Sequence, residues 1–243
     1  MSAVSQPVET IVQRRWFNVT LVSVLVGGLV ACGGGGGGGS DRSPVMGVDV
    51  NGTSTISAEV LATQLATYPL ASLAATEVQS LLFMREEEQL AHDVYAVSAS
   101  LWAPPIFANI SASEATHSAA MKALIDRYQL VDPLAGLAEG TFKTPAFQVL
   151  YDALVAASRI SLVEALKVGV EIEELDIRDI TAQKVGIDNA DILMVYDNLL
   201  RGSRNHLRAY MKVLTQQGGT YVPEYLGQAE FDAIVNSAIE TGP

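Results

Sequence analysis

The chain has 243 residues and a formal net charge of −12, with 49% hydrophobic and 17% charged residues. Nucleic-acid binding requires a basic surface, so this acidic balance argues against it. The single cysteine, Cys32, leaves no thiols for a disulfide, a thiolate zinc site or an iron–sulfur cluster in the rest of the sequence. Any metal would therefore be held by Glu, Asp and His side chains, which favours iron, manganese or zinc.

The first residues have the pattern of an export signal. Arg14 and Arg15 precede a short apolar stretch that is too short for a comfortable membrane span. The segment Leu29–Cys32 resembles the lipobox of bacterial lipoproteins, in which cleavage precedes a cysteine that becomes lipidated. We therefore expect a lipoprotein-type signal peptide over residues 1–31 and lipidation of Cys32. The protein would then be membrane-anchored in a bacterial cell envelope, facing the periplasm or the exterior. A permanent transmembrane anchor is the alternative.

Residues 32–56 are predicted to form a flexible tether. The glycines Gly33–Gly39 follow the cysteine without interruption, and such a run behaves as a flexible coil. Residues 41–56 are polar and rich in turn formers, and we expect them to be poorly ordered. The folded helical domain is predicted over residues 57–243.

From residue 57 onward the pattern is helical, and no run of alternating strands appears. Pro69 ends a short opening helix. Longer helices are predicted near 76–100, 110–128, 161–184 and 189–217, with Thr76 and Ser161 as N-caps of the first and the third. Pro145 suits the first turn of a shorter helix that ends near residue 158. The sequence therefore predicts an all-α fold, a four-helix bundle with a short extra helix between the second and third main helices.

Each long helix carries polar residues on its apolar face. Glu88 lies on the first, and Glu114 and His117 on the second, where a spacing of three makes both point the same way. Glu173 and His206 take corresponding places on the third and fourth helices. Buried carboxylates and imidazoles are costly unless something pairs with them. A Glu on one helix followed by Glu-x-x-His on the next is how ferritin-like bundles hold two metal ions.

The second half repeats the order of the first half with one departure. Ser203-x-x-His206 stands where the first half has Glu-x-x-His. Asp176, about one turn from Glu173, could supply the carboxylate that Ser203 cannot, or could orient His206 as a hydrogen-bond partner. Our hypothesis is that the two metal positions are unequal, one tightly held and one weak or empty.

Other polar residues have ordinary explanations. Glu86 and Glu87 are expected on a solvated face, and His92 at the surface. Tyr95, Tyr196 and Tyr210 are expected to pack in the core, with hydrogen bonding to carboxylates or a redox role as the alternative. For the candidate ligands themselves, the alternatives are surface carboxylates and core histidines that are satisfied by hydrogen bonds.

Four blocks of the sequence carry a resemblance to a known family. They are Met84–Tyr95, Ser113–His117, Ile172–Ile177 and Gly202–Leu207. These blocks resemble the signature of a prokaryotic ferritin-like family that is catalogued as domain of unknown function 2202. The resemblance covers about Leu73–Leu226. It implies a ferritin-like fold with a carboxylate-and-histidine metal centre, and it implies no particular reaction.

Three functions stay open at this point. The first is a metal-dependent oxidoreductase of the di-iron oxidase or ferroxidase type, with two metal ions, iron being favoured over manganese or zinc. Its electrons would come from ferrous iron or from an external donor, because the chain has no electron-transfer module. The second is a non-catalytic envelope protein that captures or senses metal. The third is a structural bundle whose site is degenerate, as Ser203 suggests. The sequence gives no indication of the oligomeric state.

Overall fold

The structure is a computed structural model that describes residues 44–241. The predicted signal peptide, Cys32 and the glycine run lie outside the described residues and stay predictions. Within residues 44–241, no helix is both long enough and apolar enough to cross a membrane.

A β-hairpin precedes the helices. Strands β1 (Met46–Val48) and β2 (Ser54–Ile56) pair antiparallel, with Met46 opposite Ile56 and Val48 opposite Ser54. The turn is closed by Asp49, whose carboxylate accepts hydrogen bonds from the backbone N–H groups of Asn51 and Thr53, as aspartates commonly do in turns. The expectation of poor order over residues 41–56 is therefore wrong for the hairpin.

The hairpin is also fixed by tertiary contacts. The backbone N–H of Ser54 donates to Ser113 Oγ at 3.2 Å, and that of Ile56 donates to Thr116 Oγ1 at 3.0 Å. The side chains of Met46 and Ile56 are buried. These long-range bonds and apolar contacts explain why a short, polar segment is ordered against the helices.

The described part of the chain is otherwise mostly helical, which confirms the all-α prediction. Its helices are α1 (Ala58–Leu65), α2 (Ala75–Leu101), α3 (Ile106–Arg127), α4 (Pro145–Ser158), α5 (Leu162–Lys184), α6 (Ala190–Gln216) and α7 (Gln228–Val235). Helix α4 is the short extra helix predicted between the second and third long helices, and it begins at Pro145 as expected.

The helix ends show which signals were readable in the sequence. Ser161 caps α5 as predicted, because its hydroxyl accepts a hydrogen bond from the backbone of Glu164. Thr76 does not cap α2, which begins one residue before it. Glu77 instead accepts from the backbone N–H of Ala74 at 2.9 Å and from that of Asn189 at 3.0 Å. The start of α2 is therefore bonded to the start of α6.

The long helices pack in pairs, α2 with α3 and α5 with α6, and each pair contacts the other. Apolar side chains form two separate clusters along these helices. On α2, one cluster includes Leu81 and Met84 and the other includes Leu90 and Tyr95, so that Glu88 lies between them. A layer of buried polar groups is thus enclosed by apolar side chains on both sides.

The C-terminal segment folds back on α5. The carboxylate of Glu174 accepts hydrogen bonds from the Tyr221 hydroxyl at 2.8 Å and from the backbone N–H groups of Glu224, Tyr225 and Leu226. One buried carboxylate therefore holds the loop that leads into α7.

Candidate metal centre

The six predicted ligands all lie in the interior, with side chains at most 1% exposed. Five of them come together in two groups, Glu88 with Glu114 and His117, and Glu114 with Glu173 and His206. In each group, one potential ligand atom from every residue lies within 4.8 Å of the others. Asp176 belongs to neither group.

Glu114 is common to both groups. Its Oε2 atom lies 2.8 Å from Nδ1 of His117, and its Oε1 atom lies 2.6 Å from Nδ1 of His206. Glu88 Oε2 lies 3.5 Å from Nδ1 of His117, and Glu173 Oε2 lies 3.5 Å from Nδ1 of His206. The arrangement is close to symmetrical about Glu114, and both imidazoles present Nδ1 to it.

These contacts fit a bound metal better than they fit hydrogen bonds. The Nδ1 atoms of both histidines and both oxygens of Glu114 have no hydrogen bond of acceptable geometry in the described part of the chain. Metal–ligand bonds to nitrogen and oxygen are about 2.0–2.2 Å long, so adjacent ligands of one ion lie about 3 Å apart. The observed separations of 2.6–3.5 Å are of this size. The two groups could therefore hold metal ions, and their donors suit iron, manganese or zinc.

The five side chains of the two groups shift one another's pKa values. Burial raises the pKa of Glu88 to about 7 and that of Glu173 to about 7, against the opposing effect of the neighbouring imidazoles. Burial also acts to raise the pKa of Glu114, but the two imidazoles outweigh it and hold this pKa well below its ordinary value.

The imidazoles show the reverse balance. Burial acts to lower their pKa, but the carboxylate of Glu114 outweighs it and raises the pKa of His117 to about 10 and that of His206 to about 9. Positive charge at this position is therefore favoured, and a metal cation would replace the protons that the imidazoles hold without it.

Ser54 completes the site, although the sequence gives no signal for it. Its Oγ lies 2.9 Å from Nε2 of His117 and 2.9 Å from Nε2 of His206. The two rings are stacked, with centroids 5.4 Å apart and planes 15° from parallel. Metal-binding histidines commonly use their other ring nitrogen for a hydrogen bond, and in this protein the Nε2 atoms of both histidines contact one serine hydroxyl.

Tyr95 engages the second group. Its hydroxyl donates to Glu173 Oε1 at 2.7 Å and contacts the backbone oxygen of Gly169 at 3.2 Å. Tyr95 therefore bonds a carboxylate, the alternative that the sequence left open beside core packing. Gly169 leaves room for the ring of Tyr210, which packs against Tyr95, because a Cβ at Gly169 would lie 2.5 Å from Cε1 of Tyr210.

Ser203 does not reach into either group. Its hydroxyl donates to the backbone oxygen of Leu199, one turn earlier in the same helix, at 3.2 Å. At the neighbouring position, a Cβ on Gly202 would lie 2.6 Å from Cε1 of His117. The surface of α6 is therefore shaped to admit the His117 ring, and no carboxylate stands at position 203.

Asp176 is buried near the groups without joining them. Burial and the negative charges of Glu87 and Glu88 raise its pKa well above the ordinary value. Both of its oxygens are without a hydrogen-bond donor in the described part of the chain. Nδ1 of His206 faces Glu114 and its Nε2 contacts Ser54, so the ring is not oriented by a hydrogen bond to Asp176.

Three nearby polar residues are more buried than the sequence analysis predicted. Glu86 and Glu87 are 3% and 2% exposed, not solvated, because the loop before α4 and helix α5 cover α2 on further sides. Glu86 accepts hydrogen bonds from the backbone and hydroxyl of Thr144 at 2.9 and 2.6 Å. His92 is half-buried, with Nδ1 2.8 Å from the backbone oxygen of Ser111.

Comparison with known proteins gives a family without a known activity. Residues 77–238 match the profile of an uncharacterized protein domain, DUF2202. That range includes all six predicted ligands and excludes Ser54. The uncharacterized protein MJ0754 of Methanocaldococcus jannaschii is 42% identical over 178 residues, which are 73% of this chain and 96% of that protein. The crystal structure of hypothetical protein MJ0754 from Methanococcus jannaschii DSM 2661 is similar, with a TM-score of 0.70 at 42% identity, covering 72% of this chain and 99% of that one. This chain therefore belongs to the DUF2202 family.

Proposed function

We propose that this protein is a ferritin-like metal protein whose two-ion centre, with iron as the favoured metal, carries out oxidase or ferroxidase-type chemistry. The single observation that carries this proposal is the place of Glu114, with one oxygen facing each of two imidazoles. A carboxylate shared in this way would hold two ions close together. Two-metal sites with ions about 3.5–4 Å apart act jointly on one substrate.

The ferritin-like assignment is supported by the origin of the ligands. Helices α2 and α5 each supply one glutamate, Glu88 and Glu173, and α3 and α6 supply the histidines, His117 and His206. This is the distribution by which ferritin-like bundles hold a pair of metal ions. The layer of ligands lies between two apolar clusters, which would keep water away from the centre.

Within this proposal, the chain's own residues have separate tasks. Iron, when bound, would supply the electrons and the open coordination positions that an oxidant requires. Glu88 keeps both oxygens free of hydrogen bonds, so both can face a cation. In Glu173, Oε1 accepts the hydrogen bond from Tyr95, while Oε2 has no hydrogen bond and faces Nδ1 of His206. Tyr95 therefore orients Glu173 with Oε2 towards the second group.

The two metal positions are unequal in this proposal. His117 has Glu114 three residues before it in α3, whereas His206 has Ser203 there in α6, and the Ser203 hydroxyl bonds within its own helix. The nearby carboxyl of Asp176 would have to move to act as a ligand, because it belongs to neither group. Anomalous scattering from metal-soaked crystals tests this: unequal occupancy is expected, and two fully occupied, equivalent ions would contradict it.

We further propose the cellular setting that the sequence indicates. The domain would be anchored through a lipid on Cys32 to a membrane of the bacterial cell envelope. It would face the periplasm or the exterior and take electrons from ferrous iron or from an external donor. Nucleic acid is not a partner of so acidic a chain.

The test begins with elemental analysis of the full chain, purified in detergent. Ferrous iron is then added in air, and the near-ultraviolet absorbance of the ferric product is followed against buffer. Oxidation faster than in buffer, and lost in Glu114→Ala, is the expected result. The matched control is Glu86→Gln, since Glu86 is a buried glutamate outside both groups.

The other outcomes identify the alternatives. Binding without oxidation would mean that the protein is a metal-capturing or metal-sensing envelope protein and not an enzyme. A chain that binds no iron, manganese or zinc would instead be a structural bundle with a degenerate site.

A further inference from the structure

We propose that Ser54 is a positioning residue for both histidines: its hydroxyl accepts the Nε2–H of His117 and of His206 together, so that both Nδ1 atoms face Glu114 and the cations. This inference rests on the proposed metal centre and adds a residue to it. Ser54 lies in strand β2, before the residues that match the family profile.

The hydrogen-bonding capacity of a hydroxyl carries the first step. A serine hydroxyl has two acceptor lone pairs and only one proton to donate. It can therefore accept from two imidazoles but cannot donate to two. The two distances from Ser54 Oγ to Nε2 are equal at 2.9 Å, as two similar bonds would be. The arrangement excludes a site in which both neutral imidazoles carry their proton on Nδ1.

The tautomer with its proton on Nε2 is the one that metal binding through Nδ1 requires. A neutral imidazole binds a metal through its unprotonated nitrogen, and the hydrogen bond at the other nitrogen decides which one that is. In this protein, Nδ1 of each histidine faces the carboxylates, while Nε2 faces Ser54. Protons held on Nε2 leave Nδ1 available for a cation.

The hydroxyl is fixed in place from several sides. The backbone N–H of Ser54 bonds Ser113, and the side chain is 0% exposed, so water does not compete for it. A Cβ on Gly202 would lie 3.1 Å from Ser54 Oγ, and one on Gly52, in the hairpin turn, would lie 2.9 Å from the backbone oxygen of Asn205. The hairpin therefore contacts α6 closely, and at Gly202 the absence of a side chain leaves room for Ser54.

One shared hydroxyl makes the two metal positions depend on a single residue. His117 belongs to α3 and His206 to α6, and each serves a different group. Loss of the Ser54 hydroxyl should therefore weaken both positions together.

The experiment uses the full chain and Zn²⁺, which is diamagnetic, with affinity measured by competition with a chelator. We expect Ser54→Ala to weaken binding about 10- to 100-fold at each occupied position, the usual effect of losing such a partner. The matched control is Thr116→Val, which removes a hydrogen bond from the hairpin to α3 but does not touch either imidazole. Unchanged affinity in Ser54→Ala would overturn the inference.

A second readout does not depend on the variant. Nitrogen-15 NMR of histidine side chains reports which ring nitrogen carries the proton, and the chain has only three histidines, of which His92 lies outside both groups. In the zinc-loaded wild type, we expect protonated Nε2 on both His117 and His206. Protonated Nδ1 on either would overturn the inference even if Ser54→Ala failed to fold. A wild type that binds no zinc would overturn the metal centre and this inference together, whereas equal binding by wild type and Ser54→Ala would overturn only the inference.

Discussion

Glu114 of α3 and His206 of α6 approach to 2.6 Å between Oε1 and Nδ1, both fully inside the protein. Because the other oxygen of Glu114 faces His117, this residue joins the two groups of candidate ligands. Every other candidate in the two groups belongs to one of them only. Glu114 is therefore the residue whose loss should affect both metal positions, and this distinguishes it from the other glutamates.

The first prediction compares Glu114→Gln with Glu88→Gln. Glutamine keeps the shape of the side chain but removes the charge that holds a cation, so Glu114→Gln should abolish tight binding at both positions. Glu88→Gln should weaken only the position that Glu88 shares with His117. Bound manganese or zinc per chain, measured by elemental analysis after dialysis, checks this. Equal loss in the two variants would contradict the shared role of Glu114.

The second prediction concerns metal removal. A ligand that binds only the folded state stabilises it by about 2.7 kcal/mol when present at a hundredfold excess over its Kd. Zinc or manganese should therefore raise Tm, and a chelator should reverse the rise. Differential scanning calorimetry measures the effect, with Glu114→Gln as the control that should show no metal-dependent shift. If neither metal nor chelator changed the Tm of the wild type, this result would count against a bound ion.

Much of the fold was predictable because its signals are local. The spacing of apolar residues, Pro145 in a first turn and Ser161 at an N-cap all act within a few residues of their own position. The start of α2 was harder to predict, since Glu77 caps it while also bonding the backbone of Asn189. A bond to a residue so distant in sequence leaves no local pattern.

The candidate site likewise contains residues with a local sequence signal and residues without one. The Glu-x-x-His spacing indicates that Glu114 and His117 share a face, and the structure brings them together with Glu88. Ser54 lies 63 residues from His117 and 152 residues from His206. The strands of its hairpin are too short to show a recognisable pattern of alternating apolar residues. The burial of Glu87 was equally hidden, because it depends on the helices that cover α2 and not on α2 itself.

The third prediction concerns Gly202. An alanine inside a helix is normally favoured over glycine by about 0.5–1 kcal/mol. At this position, however, its Cβ would lie 2.6 Å from Cε1 of His117, so the ring or the helix must shift. We expect Gly202→Ala to lower the free energy of unfolding by roughly 1–3 kcal/mol, as overpacking does, and to weaken metal binding. Urea denaturation and metal content check this.

The control for this change is Gly186→Ala. A Cβ at Gly186 would meet nothing within 4 Å, so this variant should match the wild type in both stability and metal content. If Gly202→Ala behaved like Gly186→Ala, the close approach of His117 to α6 would not be a constraint on the site.

The fourth prediction concerns pH and uses a carboxylate outside both groups of candidate ligands. Burial acts to raise the pKa of Glu240, but its bonds to Arg204 and Arg208 outweigh this and lower the pKa from 4.5 to about 2. Because the folded-state pKa lies below the unfolded-state value, the carboxylate stabilises the fold above pH 4.5. This contribution is lost as the pH falls from 4.5 towards 2.

Urea denaturation of the metal-free protein should therefore show a smaller loss of stability between pH 4.5 and pH 2 in Glu240→Gln than in the wild type, because glutamine does not titrate. The variant should already be less stable at neutral pH, since the C-terminal segment loses its ion pairs to α6. Parallel pH profiles for the two proteins would show that Glu240 does not hold that segment.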